Sequence, residues 1–102
     1  MYRTSRAQAT DITNEVRQRV HERDSSRCIF CQSSYHIELA HTILSRSKGG
    51  LGIEQNLVCA CQRCHKIMDS ESAQGKRFRK SAIHYLENYY GKIDIKDVKY
   101  GR

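Results

Sequence analysis

Apolar positions recur along this chain with two different periods, and each change of period marks a new element. Ile12, Val16 and Val20 are spaced by four with Glu15, Arg17, Arg19 and Glu22 among them, which predicts an amphipathic helix from about Thr13. Thr13 can cap its start, and Asp24-Ser25-Ser26 forms a polar exit. Ile37, Leu39 and His41 then fall on every second position, which predicts a strand over residues 35–43 with His41 on its apolar side. Residues 56–60, opened by Asn56, return as a short and nearly continuous apolar strand. Residues 62–70 predict a short polar helix with His65 and Asp69 four apart on one face, and Gly75 is expected to break it. A second amphipathic helix is predicted over residues 76–90, with Phe78, Ala82, Tyr85, Leu86 and Tyr89 along one side and Gly91 as its stop. Ile93, Ile95 and Val98 alternate imperfectly and predict a short extended tail, while residues 1–10 read as a frayed polar arm carrying Arg3 and Arg6. Helices flanking a pair of strands define an α+β class. The length allows one domain over residues 1–102, with its core at about 16–70.

Between the strands lies Ser45-Arg46-Ser47-Lys48-Gly49-Gly50-Leu51-Gly52, rich in turn formers and expected to be a surface loop presenting Arg46 and Lys48. On either side of this region stand two short cysteine pairs, Cys28 with Cys31 and Cys61 with Cys64. Four thiolates at this spacing can close a tetrahedral zinc site. A chain of 102 residues with 38% hydrophobic content and no Trp builds a modest core and needs such a staple. The competing reading is two disulfides in a secreted domain, but closely paired Cys-x-x-Cys units suit a metal knuckle better. No run approaches the roughly 18 apolar residues of a membrane span, and no apolar stretch of a secretory signal opens the chain. A cytoplasmic, reducing location is therefore expected, with no membrane partner. Cys59 is left over and is expected to pack as a small buried hydrophobe.

Eighteen Lys and Arg against eleven Asp and Glu leave a net charge of +7, which suits a polyanion such as nucleic acid and equally suits a solvated surface. The run Lys76, Arg77, Arg79 and Lys80 is read as solvated charge at a helix start. Tyr85, Tyr89, Tyr90 and Tyr100 are expected to close the small core, His21 and His84 to lie at the surface or pack between helices, and His36 to be structural.

The ordered segments Arg27-Cys28-Ile29-Phe30-Cys31, Leu39-Ala40-His41, Arg46-Ser47-Lys48-Gly49-Gly50, Asn56-Leu57-Val58 and Cys61-Gln62-Arg63-Cys64-His65 resemble the zinc-knuckle HNH endonucleases. The resemblance covers about residues 16–69. It implies a ββα-metal fold, a β-hairpin crossed by a helix, that clamps a divalent ion against a DNA phosphodiester. It also implies a structural zinc on Cys28, Cys31, Cys61 and Cys64, His41 as general base, and Asn56 fixing the hairpin geometry. His65 would be a ligand of the catalytic ion, with Asp69 one turn later able to add a carboxylate oxygen. Magnesium or manganese suits that oxygen-rich site. Arg46, Lys48, Arg63 and Lys66 are the expected nucleic-acid contacts.

The chain departs from the family pattern at one place. Family members carry a ligand just before the base, where this chain has Ala40, and the base stands six residues before the Lys48 position, which is Thr42 here. Strand parity favours His41, and one extra loop residue reconciles the two counts. With Thr42 in the base position the protein would instead be a catalytically inactive zinc-knuckle DNA-binding module. A protein-interaction zinc module is the third class, distinguished by the absence of salt-sensitive DNA binding.

Overall fold

The computed structural model describes residues 5–101. In chain order it contains α1 (Ser5–Thr10), α2 (Asn14–Asp24), β1 (Ile37–His41), β2 (Leu57–Cys61), α3 (Gln62–Asp69) and α4 (Ala73–Tyr90). Short 3₁₀ turns occur at Arg46–Lys48, Glu54–Asn56 and Ile95–Val98. The class is α+β. The two strands pair antiparallel, from Ile37 opposite Cys61 to His41 opposite Leu57.

The hairpin is covered on both faces, which is why all five residues of β2 are buried and read as an unbroken apolar run. On one face Ala40, Val58 and Ala60 meet Cys28, Cys64 and Met68, together with Ala82 and Leu86 of α4. On the other, Leu39, Leu57 and Cys59 meet Val20, with Ile12 and Val16 packed alongside. Val20, Leu57, Val58 and Leu86 are completely buried. Each such side chain contributes about 1.5–3 kcal/mol relative to exposure. No helix among the described residues is long and apolar enough to cross a membrane.

Local chemistry sets the helix ends. Thr13 caps α2 by accepting from the Val16 amide at 3.2 Å, and Ser25 ends it in a left-handed turn with φ 57°. Gly91, at φ 77°, ends α4 and donates to the Glu87 carbonyl at 2.8 Å. Gly75 does not break α3. That helix stops at Asp69, and α4 starts at Ala73 with the Ser72 hydroxyl accepting from the Gly75 amide at 3.0 Å. A Cβ on Gly75 would stand 2.5 Å from the Ser70 carbonyl oxygen, so glycine there lets the two helices meet at close quarters.

Other sequence expectations shift for equally local reasons. Residues 5–10 of the expected arm form α1, because the loop before β2 and the end of β1 supply its hydrogen-bond partners; Arg3 lies outside the described residues. The tail winds into a 3₁₀ turn capped reciprocally by Asp94 and Asp97, burying Val98 and leaving Ile95 exposed. His36, at φ 51°, stands just before β1 instead of within it. Tyr85 and Tyr90 do pack against the core, whereas Tyr89 and Tyr100 are exposed.

At the exit of α2 a polar centre ties three elements together. The Arg23 guanidinium makes paired hydrogen bonds to Asp24, at 2.7 and 3.0 Å, and also donates to the carbonyls of Leu57 at 2.6 Å and Glu54 at 2.9 Å. Asp24 in turn accepts from the Cys59 amide at 2.9 Å and from the Tyr85 hydroxyl at 2.5 Å. Tyr90 closes the circuit to Glu54 at 2.9 Å. The guanidinium carbon lies 5.6–5.8 Å from the ring centres of Tyr85, Tyr89 and Tyr90, within cation–π range.

Candidate functional site

The two cysteine pairs converge. Cys28 and Cys31 sit in a tight turn in which the Gln32 amide donates back to the Cys28 carbonyl at 2.9 Å. Cys61 ends β2 and caps α3, its sulfur accepting from the Cys64 amide at 3.4 Å. The Ile29 amide donates to the Cys59 carbonyl at 3.0 Å and so binds the first turn to β2. All four sulfurs lie within 4.8 Å of one another, and Cys31 Sγ is 3.7 Å from Cys61 Sγ. Sulfurs held at about 2.3 Å by one tetrahedral ion stand about 3.8 Å apart, so the cluster fits a metal ion. A hydrogen bond from the Ser33 amide holds the Cys31 thiol down to about 7, whereas burial pushes Cys64 up. Cys59 stays outside the cluster. Burial, reinforced by the charge of Asp24, pushes its thiol up to about 12 and makes it a packing residue without nucleophilic character.

The opposite end of the hairpin is organised by Asn56. Its side-chain oxygen accepts from the amides of Ile43 at 2.8 Å and Leu44 at 3.1 Å, and its amide donates to the carbonyls of Leu44 and Leu51, both at 3.0 Å. One completely buried side chain thus closes the loop between the strands. His41, the last residue of β1, emerges beside that loop half-buried, with Nε2 3.1 Å from the Thr10 carbonyl. A carbonyl only accepts, so Nε2 carries the proton and Nδ1 presents its lone pair. Burial holds the His41 pKa below its ordinary value, and the nearby charges of Arg46 and His65 act in the same direction. The ring stays neutral and able to accept a proton. Thr42 is buried with its hydroxyl turned to the Ala40 carbonyl at 3.0 Å.

His41 opens onto a cavity of about 590 Å³ that it shares with Lys48, Asp69 and Arg79 and with Ser45 and Ser47. Glu71 adds a further carboxylate to the lining. Arg79 is anchored on the carbonyls of Met68 and Ser70, which fixes its charge at the end of α3. His65 does not line this cavity, but Asp69, which does, places its Oδ2 3.4 Å from His65 Nε2. The other ring nitrogen, Nδ1, meets Glu38 Oε1 at 2.7 Å.

His65 thus stands between two carboxylates, Glu38 at Nδ1 and Asp69 at Nε2, and Nε2 and Asp69 are the two donor atoms that could hold a cation. Ala40 is buried in the core and offers no ligand. Glu38, two residues earlier on the same strand face, supplies the carboxylate that reaches the histidine; the period-two pattern held that signal and the sequence reading did not use it. Thr10 was also missed, because a backbone carbonyl leaves no trace in side-chain identity.

The expected phosphate contacts divide. Lys48 lines the cavity. Arg46 pairs with Asp11 at the edge of α1. Arg63 lines a separate hollow beside Cys31, Tyr35 and His36, and Lys66 is exposed on α3. Comparison with protein-family models, with curated proteins and with solved structures gives no match.

Proposed function

We propose that this protein is a metal-dependent endonuclease of the HNH type, a ββα-metal domain that hydrolyses DNA phosphodiester bonds around a structural zinc on Cys28, Cys31, Cys61 and Cys64. The observation that carries the reading is the shared cavity. A neutral imidazole with a free nitrogen, two cationic side chains and a carboxylate paired to a second histidine all border it.

In this reading His41 Nδ1 removes a proton from water as the water oxygen bonds to phosphorus. The bond from phosphorus to the leaving 3′-oxygen breaks, and that oxygen takes a proton from solvent. Lys48 and Arg79 offset charge on the phosphoryl oxygens. Asn56 keeps the loop closed so that His41 and Lys48 retain their spacing. His65 and Asp69 would hold the catalytic divalent ion, magnesium or manganese, with Glu38 orienting the His65 ring. When bound there, the ion supplies Lewis-acid stabilisation of the phosphate and the leaving oxygen. Water and substrate would fill the rest of its coordination, since only these two residues would contribute donors.

Ala40 supports the second reading, an inactive zinc-knuckle DNA-binding module, because the strand lacks a ligand ahead of the base. Nicking of supercoiled plasmid in magnesium or manganese separates the two. The nuclease reading expects cleavage that EDTA stops and that His65→Ala strongly reduces. DNA binding that weakens with salt, without cleavage under any divalent ion, would establish the binding module instead.

A further inference from the structure

We propose that α1 is a strap that orients His41, its terminal carbonyl selecting the ring tautomer that leaves Nδ1 free. For its catalytic consequence this rests on the nuclease reading.

Thr10 is the last residue of α1, and the closing carbonyls of a helix have no partner within it. The Thr10 carbonyl finds its partner in His41 Nε2 at 3.1 Å, across 31 positions of sequence. The Thr10 hydroxyl cannot serve instead, since it turns back to the Arg6 and Ala7 carbonyls at 3.0 and 3.3 Å. A six-residue helix is too short to persist alone, so its position depends on what it is fastened to.

Among the described residues, several fastenings lie on the loop between the strands. The Gly52 amide donates to the Ala9 carbonyl at 3.0 Å, Arg6 donates to the Ser47 carbonyl at 2.7 Å, and Arg46 pairs with Asp11. The fit at Gly52 is close. A Cβ there would stand 2.1 Å from the Asp11 carbonyl oxygen and 3.0 Å from that of Thr10. The same loop carries Ser47 and Lys48 into the cavity. Strap, loop and imidazole are therefore tied together by backbone hydrogen bonds, and displacing α1 would free the ring without changing the identity of any residue that lines the cavity.

Gly52→Ala in the full chain tests this. Long-range ¹H–¹⁵N correlation of the histidine rings reads the tautomer directly, and metal content with backbone amide shifts reports whether the cysteine cluster and core persist. Wild type is expected to show His41 as the Nε2–H tautomer. Gly52→Ala is expected to show a mixture, with kcat for cleavage down about 10- to 100-fold and DNA affinity unchanged. Gln8→Ala, an exposed position on α1, should leave both readouts at wild-type values.

A wild-type His41 protonated at Nδ1 overturns the proposal without recourse to any variant, even if Gly52→Ala does not fold. Unchanged tautomer and cleavage in a folded Gly52→Ala overturn it as well. If wild type cleaves no DNA while the tautomer still follows Gly52→Ala, the strap stands and the nuclease reading falls.

Discussion

Four thiols within 4.8 Å of one another hold one end of the hairpin, while at the exit of α2 an arginine and an aspartate share two hydrogen bonds beside two tyrosine hydroxyls. Both are polar centres that tie β2 to the segments packed beside it, the first with Cys31 exposed, and they differ in what completes them. The Arg23–Asp24 centre carries its own counter-charge and finds a partner for each donor within the chain. Among the described residues no buried side-chain nitrogen or oxygen lacks a hydrogen bond. The sulfurs have only each other and the backbone amides of Ser33 and Cys64. Deprotonated, they repel until a cation enters. One staple is built by folding alone, and the other is a cluster that could hold an ion.

Breaking the metal-dependent centre should have the larger effect. Structural zinc in small domains contributes an apparent ~10–16 kcal/mol at neutral pH, so Cys61→Ser or chelation is expected to abolish the cooperative thermal transition. Circular dichroism alongside metal analysis checks this, and a chelated protein that melts as wild type would separate the cluster from the fold. Asp24→Ala comes next. It strands the buried Arg23 charge and the Cys59 amide, and should cost about 3–5 kcal/mol in denaturant unfolding while metal content stays unchanged. Tyr85→Phe removes one hydrogen bond from the same centre and should cost about 1 kcal/mol in that measurement. Equal losses from Asp24→Ala and Tyr85→Phe would show that the charge balance inferred here is wrong.

Acid sharpens the contrast further. The His41 pKa is held below 6.5 by burial first, so the unfolded chain binds this proton more readily than the folded one. Its contribution to stability is complete above about 6.5 and is lost as pH falls through the lowered folded value. Cleavage should follow the same limb, because a protonated imidazole accepts nothing. Thiolates also release metal in acid, so metal content is measured across the same range. Activity lost while metal stays bound assigns the limb to His41, and parallel loss of both assigns it to the cysteines.

The cysteine end was legible because coordination chemistry is written in residue identity and spacing. Cys28, Cys31, Cys61 and Cys64 announce their cluster without knowledge of the fold, and Thr13 and Gly91 mark helix ends by chemistry that acts within a few residues. The Arg23–Asp24 centre gave no such sign. In the sequence these are two charged residues at a polar helix exit, and only the return of α4 brings Tyr85 and Tyr90 over them. The strap was illegible for a related reason: α1 has no apolar period of its own and is held by residues about 40 positions away. Glu38 was legible in principle, since alternation along β1 places it on the face of Ala40.

The central claim is that His41 is the proton acceptor for phosphodiester hydrolysis, and it is tested most directly by single-turnover cleavage of DNA by His41→Ala in magnesium or manganese, at protein concentrations that saturate binding. The account predicts a rate about 10²–10⁴-fold below wild type, with DNA affinity and bound metal unchanged. A His41→Ala protein that cleaves as fast as wild type would contradict it.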